Sequence, residues 1–360
     1  MNGKRFACRV LGAAALLLAL LAALVAVVDP FFLLRAPGES EVYEEERYEN
    51  AGLIRNLDYD TVLMGTSLVC NYRASWFDEL TGAKTIKITC RDGYLSDFDT
   101  FLNLVYRTHP DIETVYFGLD VNVLARPDSQ RTTDLPEWLY DDNPLNDVEY
   151  FLNTDVYLRC ANVFWQRLRG TATVLDEAYV WADGYDFSLW QALSTYDRPP
   201  VSDTQLPEDA YFDACDENLA VLHRWITEHS DTQFVIFFPP YSILYWDMAI
   251  REGKLDATLA MLRRAVEDLL EYDNVTLQFM LGRESIIEDL NNYTDHIHYS
   301  TNCARVLTER MLQGAMFLLS KDNYEHYLEH LDEIVTGYDY DWLFSTHAPW
   351  LMDGAEEQAP

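Results

Sequence analysis

The chain has 360 residues, 60 of them acidic against 26 basic, for a formal net charge of -34. Hydrophobic residues make up 49% and aromatics 14%, enough to bury a sizeable core, and this excludes a disordered chain. The charge argues against nucleic acid as a partner, because no basic stripe exists to replace the counterions condensed on phosphates. It argues equally against the soluble part lying flat on anionic lipid.

Val10 to Val28 form an uncharged run of Val, Leu, Ala and one Gly, close to the length that spans a hydrocarbon core at helical rise. Lys4, Arg5 and Arg9 precede it and Asp29-Pro30 follows, so the positive-inside rule puts the amino terminus in the cytoplasm and the rest of the chain outside. A retained transmembrane signal-anchor over residues 1–34 is the expectation. A cleaved signal peptide is the alternative, and either one carries the remaining chain out of the cytoplasm.

Arg35 to Glu49 is a charged and aromatic juxtamembrane connector. An alternation of strands and helices then begins. Thr61-Val62-Leu63-Met64 reads as a strand running into Gly65-Thr66-Ser67, Lys84 to Thr89 as a second, Ser96 to Arg107 as a helix, and Thr114 to Leu119 as a third strand. An excursion rich in Trp, Tyr, Asp and Pro follows at about 123–206. Leu219 to His229 then reads as a helix, Gln233 to Phe238 as a strand, Leu255 to Tyr272 as an amphipathic helix, Val275 to Met280 as a strand and Cys303 to Leu319 as a helix. Such alternation predicts an α/β fold, a three-layer parallel sheet covered on both faces and flavodoxin-like in class. The expected domain spans residues 35–320 with its insertion at 123–206. Residues 321–360 are expected to be a peripheral helix followed by a tail.

The six cysteines, Cys8, Cys70, Cys90, Cys160, Cys215 and Cys303, show neither a CxxC pair nor metal-type spacing. Cys70 and Cys90 follow successive strands; they read first as two buried thiols and second as a disulfide.

Ligands of parallel sheets bind outside the carboxyl ends of the strands, and candidate chemistry falls there. Ser67 stands on the turn that ends the first strand. Between the last strand and the last long helix lies Tyr293-Thr294-Asp295-His296-Ile297-His298-Tyr299-Ser300. A separation of three on one tight turn puts the Asp295 carboxylate beside the His298 ring. There it can hold the tautomer and stabilise imidazolium while the other nitrogen faces a nucleophile. The cluster of Asp295, His296 and His298 is also readable as part of a metal site, although no other His or Cys cluster offers further ligands. Phe238-Pro239-Pro240-Tyr241-Ser242 is either a rigid lip presenting Tyr241 or Ser242 to substrate or a proline-stiffened turn. Within the excursion, Trp138, Tyr140, Trp165, Trp181, Tyr185 and Trp190 suit an aromatic cap able to stack on sugars.

An early strand ending in Gly-x-Ser, with Asp-x-x-His before the final long helix, resembles the SGNH (GDSL-like) hydrolase superfamily. Within it the chain is similar to the membrane-anchored surface proteins related to the D-alanyl lipoteichoic acid transfer protein. The resemblance runs from the anchor to about Leu319, and the excursion matches no motif of the family. It implies Ser67 as nucleophile, Asp295 as orienting acid, His298 as general base, and the Gly93 amide as an oxyanion donor. The first block reads Gly-Thr-Ser where the family has Gly-Asp-Ser. The third block, Gly-x-Asn-Asp in the family, reads Gly118-Leu119-Asp120-Val121-Asn122 here, which sets Asp120 where the family's oxyanion Asn stands. An ionised carboxylate there repels a developing oxyanion. Asn122, two residues on in an expected extended segment, points the same way and is the substitute donor.

The implied activity is that of an extracytoplasmic serine esterase or O-acyltransferase. It acts without a cofactor on acyl groups of cell-envelope polymers, with a glycan or teichoic-acid-like substrate. The alternatives are an inactive surface-binding protein with the same fold and a metal-dependent hydrolase built on Asp295, His296 and His298.

Overall fold

In the computed structural model, which describes residues 3–143, 145–314 and 317–352, the chain is an α/β protein built on a five-stranded parallel sheet. Its strands are β1 (Thr61–Gly65), β2 (Thr85–Thr89), β3 (Thr114–Gly118), β4 (Gln233–Phe238) and β5 (Val275–Phe279). Their order across the sheet is β2-β1-β3-β4-β5, with every neighbouring pair parallel. That is the doubly wound order, in which the chain reverses its direction of travel between β1 and β3 and opens a crevice at their carboxyl ends. The register brings Gly65 opposite both Thr89 and Gly118, so three strand ends finish level. Every residue of β1 is buried. Because successive side chains point to opposite faces, both faces of the sheet are covered, as a parallel sheet requires.

The helices in chain order are α1 (Gly3–Val28), α2 (Glu46–Asn56), α3 (Ser67–Cys70), α4 (Ala74–Thr81), α5 (Leu95–Thr108), α6 (Val121–Ala125), α7 (Val148–Leu152), α8 (Thr154–Arg169), α9 (Leu189–Ser194) and α10 (Phe212–Glu228). They continue with α11 (Ile243–Arg251), α12 (Leu255–Leu269), α13 (Glu284–Ile287), α14 (Thr301–Gln313), α15 (Tyr324–Gly337) and α16 (Tyr340–His347). Apolar helix α1 has 26 residues, about 39 Å at 1.5 Å per residue, long enough to cross a membrane. Two compact units divide the chain. One holds Met1–Asp58, Thr100–Pro110 and Thr133–Tyr179; the other holds Tyr59–Asp99, Asp111–Thr132 and Val180–Pro360 and contains the whole sheet. The expected aromatic insertion is therefore shared between the units, with breaks after Thr132 and after Tyr179.

Several elements differ from the sequence expectation: α2 begins inside the expected connector, and α10 starts at Phe212, ahead of the expected Leu219. The helix expected over Cys303 to Leu319 ends at Gln313 before Gly314, and the chain then returns along β5. There Phe279 N donates to Phe317 O at 2.7 Å and Leu319 N to Leu277 O at 3.0 Å. β5 is an edge strand, and its outward backbone groups need partners more than the helix needs another turn. Past residue 320 there are two helices, because Asp339 accepts from the Trp342 amide at 2.8 Å and starts a second one; residues 353–360 lie outside the described residues. After Pro239-Pro240 the chain enters α11 at Ile243, with Ser242 as its N-cap.

Candidate active site

The approach of α3 to the strand ends follows from two glycines. A Cβ on Gly65 would lie 2.4 Å from Val69 Cγ2, and one on Gly118, its partner in register, 2.6 Å from the same methyl. Val69 occupies that space, so the chain turns from β1 through the N-cap Thr66 straight into α3, and Ser67 heads the helix at the carboxyl edge of the sheet. The other end of α3 is held by a buried cation: Lys87 on β2 donates to Cys70 O at 2.9 Å and Tyr72 O at 2.7 Å, where helix carbonyls attract positive charge. Buried Asn71 completes the support. It donates to Tyr299 O at 3.2 Å and accepts from the amides of Trp181 at 3.3 Å and Ala182 at 3.2 Å.

The turn before α14 supplies the second half of the site. Asp295 Oδ1 accepts from the amides of Ile297 and His298, each at 2.8 Å, folding the backbone around its own carboxylate. Its Oδ2 lies 2.7 Å from His298 Nδ1, and His298 Nε2 lies 2.9 Å from Ser67 Oγ. An ionised carboxylate only accepts, so Nδ1 carries the proton and Nε2 is left to accept from the serine hydroxyl. Burial alone would push the Asp295 carboxyl up. The hydrogen bond and charge of the His298 ring, with the two amides, outweigh it and hold the group below its ordinary value. Ser67, far away in sequence, thus joins the neighbouring Asp295 and His298 in one chain of hydrogen bonds, and all three are part-exposed.

The other predicted site residues are placed differently. Tyr241 and Ser242 do not form a lip open to substrate: both are fully buried. The Tyr241 hydroxyl donates to Asp120, and Ser242 Oγ donates to His296 O at 2.7 Å while capping α11. The proline pair stiffens a turn that is sealed, not a rim. Asn122 cannot stand in for Asp120 by pointing the same way, because Val121–Ala125 is helical and not extended; residues two apart on a helix do not share a face. Asn122 instead lines a small cavity with Tyr211, Tyr245 and Met248. The Gly93 amide is engaged in a turn, donating to Cys90 O at 2.9 Å. Of the aromatic excursion, Trp181 meets the site: its indole donates to Ser67 O at 3.1 Å, and its ring stands edge-on to His298 at 5.2 Å between centroids. Cys70 and Cys90 are both buried, as expected of two core thiols.

His296 lies beside the hydrogen-bonded chain but not in it, and burial holds its ring below its ordinary value. Among the described residues no group of three or more His, Cys, Asp or Glu side chains is arranged to hold a metal ion. The metal reading of Asp295, His296 and His298 therefore has no ligand set.

Behind Ser67 sits a buried polar cluster. Asp120, 5% exposed, accepts from Thr66 Oγ1 on one side and Tyr241 OH on the other. Burial pushes its carboxyl above the ordinary value, against the two hydroxyl bonds and the charges of His298 and Arg126. Lys87 and Asn71 were not selected by sequence reasoning, whereas Trp181 was named there among the aromatics of an expected cap. Lys87 carried a signal, a lysine inside an otherwise apolar strand, but nothing local indicated which carbonyls it would meet.

No protein-family model matches the chain, and no curated protein matches it. A solved structure described as "a putative platelet activating factor from Streptococcus pneumonia" is similar over 74% of this chain and 89% of its own, with 10% identity and a TM-score of 0.39.

Proposed function

We propose that the chain is a serine hydrolase or acyltransferase acting on esters, of the SGNH type, with Ser67 as nucleophile, His298 as general base and Asp295 as its orienting acid. The single observation that carries this reading is the unbroken hydrogen-bond chain from Ser67 Oγ through His298 to Asp295 at the carboxyl edge of the sheet. His298 Nε2 takes the Ser67 proton as Oγ attacks an ester carbonyl, and Asp295 stabilises the imidazolium. The tetrahedral oxyanion is received by the Ser67 amide at the head of α3. His298 then returns the proton to the leaving alcohol, and the acyl group stays on Ser67. Water releases it in an esterase; a polymer hydroxyl releases it in a transferase. A domain tethered outside the cytoplasm by α1 favours acyl groups of cell-envelope polymers, glycan or teichoic-acid-like, as substrates.

The commitment of the Gly93 amide and the helical placement of Asn122 favour a second reading, a surface-binding protein that keeps the fold without an efficient oxyanion hole. Turnover of a short-chain aryl ester separates the two. The enzyme reading predicts activity that Ser67→Ala abolishes and that chelators leave unchanged. A folded wild-type protein with no activity above the Ser67→Ala background favours the binding reading, and chelator-sensitive activity that survives Ser67→Ala restores the metal reading.

A further inference from the structure

Within the unit that carries α1, the exit of the apolar helix is rigidly built. Asp29 leaves the helix with φ +48°, and its buried carboxylate accepts from the amides of Leu33, Leu34 and Arg35 at 3.0 to 3.1 Å and from the Tyr150 hydroxyl on α7 at 2.7 Å. The Arg35 guanidinium turns back to the last carbonyls of α1, 3.0 Å from Ala26 O and 2.6 Å from Val27 O. α2 lies so close to the following chain that a Cβ on Gly52 would stand 2.0 Å from Phe31 O. Both α7 and α8 pack on α1 itself. The contact falls at its last turns, since residues 3–20 are exposed throughout and Val25 is buried.

The pair α7 and α8 is therefore held at one level, the end of the membrane-length helix. α8 is divided into faces at helical spacing. Val156, Cys160 and Val163 are buried. Arg159, Asn162 and Gln166 form a polar face joined to Glu44 and Glu49 of the connector. What remains carries Leu158, Phe164, Trp165 and Leu168, and α7 adds Val148 and Leu152; each of these six is at least 51% exposed. A water-facing helix puts charges at such positions, and a contiguous exposed apolar face marks a binding surface.

We propose that the α7–α8 pair lies in the interfacial layer of the leaflet that α1 leaves at Val28, with this apolar face buried in lipid. The inference rests on the reading of α1 as a membrane span. Lipid is the occupant because the face belongs to elements packed on the end of α1, so the surface that surrounds α1 continues onto it. Trp165 suits headgroup depth, and the exposed Arg169 in the last turn suits the phosphates. The strongly acidic surface does not oppose this arrangement, since attachment through α1 supplies the effective concentration that electrostatic attraction does not. The consequence for the molecule is a second fixed point on the membrane, which limits rotation of this unit about the α1 axis.

The test uses the full chain reconstituted in phosphatidylcholine vesicles, in a Cys8→Ser background whose other cysteines are buried. An environment-sensitive fluorophore is attached in turn at Leu17→Cys, Trp165→Cys, Leu168→Cys and Ala220→Cys, all exposed positions. The proposal predicts blue-shifted emission at 165 and 168, quenched more by shallow than by deep doxyl-labelled lipid. Leu17→Cys should be quenched most by deep label, and Ala220→Cys should behave as in water. Water-like emission at 165 and 168 with a lipid-buried 17 overturns the proposal while leaving the span intact. Water-like emission at 17 as well overturns the span on which the proposal rests.

Discussion

Two carboxylates at the carboxyl edge of the sheet show how burial and hydrogen-bond partners compete to set charge. Asp295, at the turn before α14, and Asp120, at the end of β3, each accept several hydrogen bonds, yet one is held below its ordinary value and the other above it. Asp295 faces two amides and an imidazole N–H, none of which can accept in return, so only the ionised form satisfies them. Asp120 faces two hydroxyls, whose bonds also favour the charged form, but it is more fully buried, and burial outweighs them. Similar hydrogen-bond numbers thus give opposite outcomes. For chemistry the difference matters twice. Asp295, held below its ordinary value, favours the charge that the proposed mechanism uses to stabilise imidazolium, whereas burial disfavours the Asp120 charge that would repel an oxyanion.

The largest effect should come from removing the proposed base. His298→Ala is expected to lose on the order of a thousandfold or more in ester turnover, as when a base acting with its nucleophile is deleted. Asp295→Asn should fall between that and wild type. His296→Ala should cost little, since its ring is outside the hydrogen-bond chain. Equal, severe losses at 296 and 298 in variants folded by circular dichroism would break the assignment of roles. A smaller effect is expected at Trp181→Ala. That change frees the His298 ring on one side and the Ser67 carbonyl, and misplacement of this kind costs on the order of tenfold to a hundredfold in kcat.

The smallest effects sharpen the comparison most, because their signs differ. The Asp120 carboxyl is raised on folding, so its contribution to stability is fully present below its unfolded value, about 4, and is lost as pH rises through the folded value. Asp120→Asn should therefore gain thermal stability relative to wild type as pH rises, by roughly a few degrees. Asp295 is lowered on folding, so its contribution is present above about pH 4 and lost as pH falls through the folded value. Asp295→Asn should therefore be less stable than wild type at neutral pH, with the gap closing in acid. Thermal melts of both variants between about pH 3 and pH 8 check this, and slopes of the same sign would contradict the contrast.

The sheet was legible in the sequence because its strands are short apolar runs cut by clear turns; Gln233–Phe238 matches the expectation residue for residue. Ser67, Asp295 and His298 were legible as candidates for a similar reason, since strand-end turns and a three-residue spacing are local features, and the structure brings all three together. The oxyanion and substrate residues were not. Whether Asn122 shares a face with Asp120 depends on the conformation of residues 121–125, which became a helix at the mouth of the sheet. Whether Tyr241 is open depends on Asp120, 121 positions away, which takes its hydroxyl. The excursion was read as one aromatic segment, but its rings belong to two units, and its longest helix, α8, mixes charged and apolar residues because one face pairs with Glu44 while another is exposed. Periodicity there is present but serves partners that local reading does not see.

The most direct test of the central claim is the site of covalent modification by a fluorophosphonate, mapped by peptide mass spectrometry on the full-length protein. The account predicts one phosphonyl adduct, on Ser67, formed rapidly in wild type, strongly slowed in His298→Ala and absent in Ser67→Ala. An adduct on another residue, or an ester-hydrolysing protein on which none forms, would contradict it.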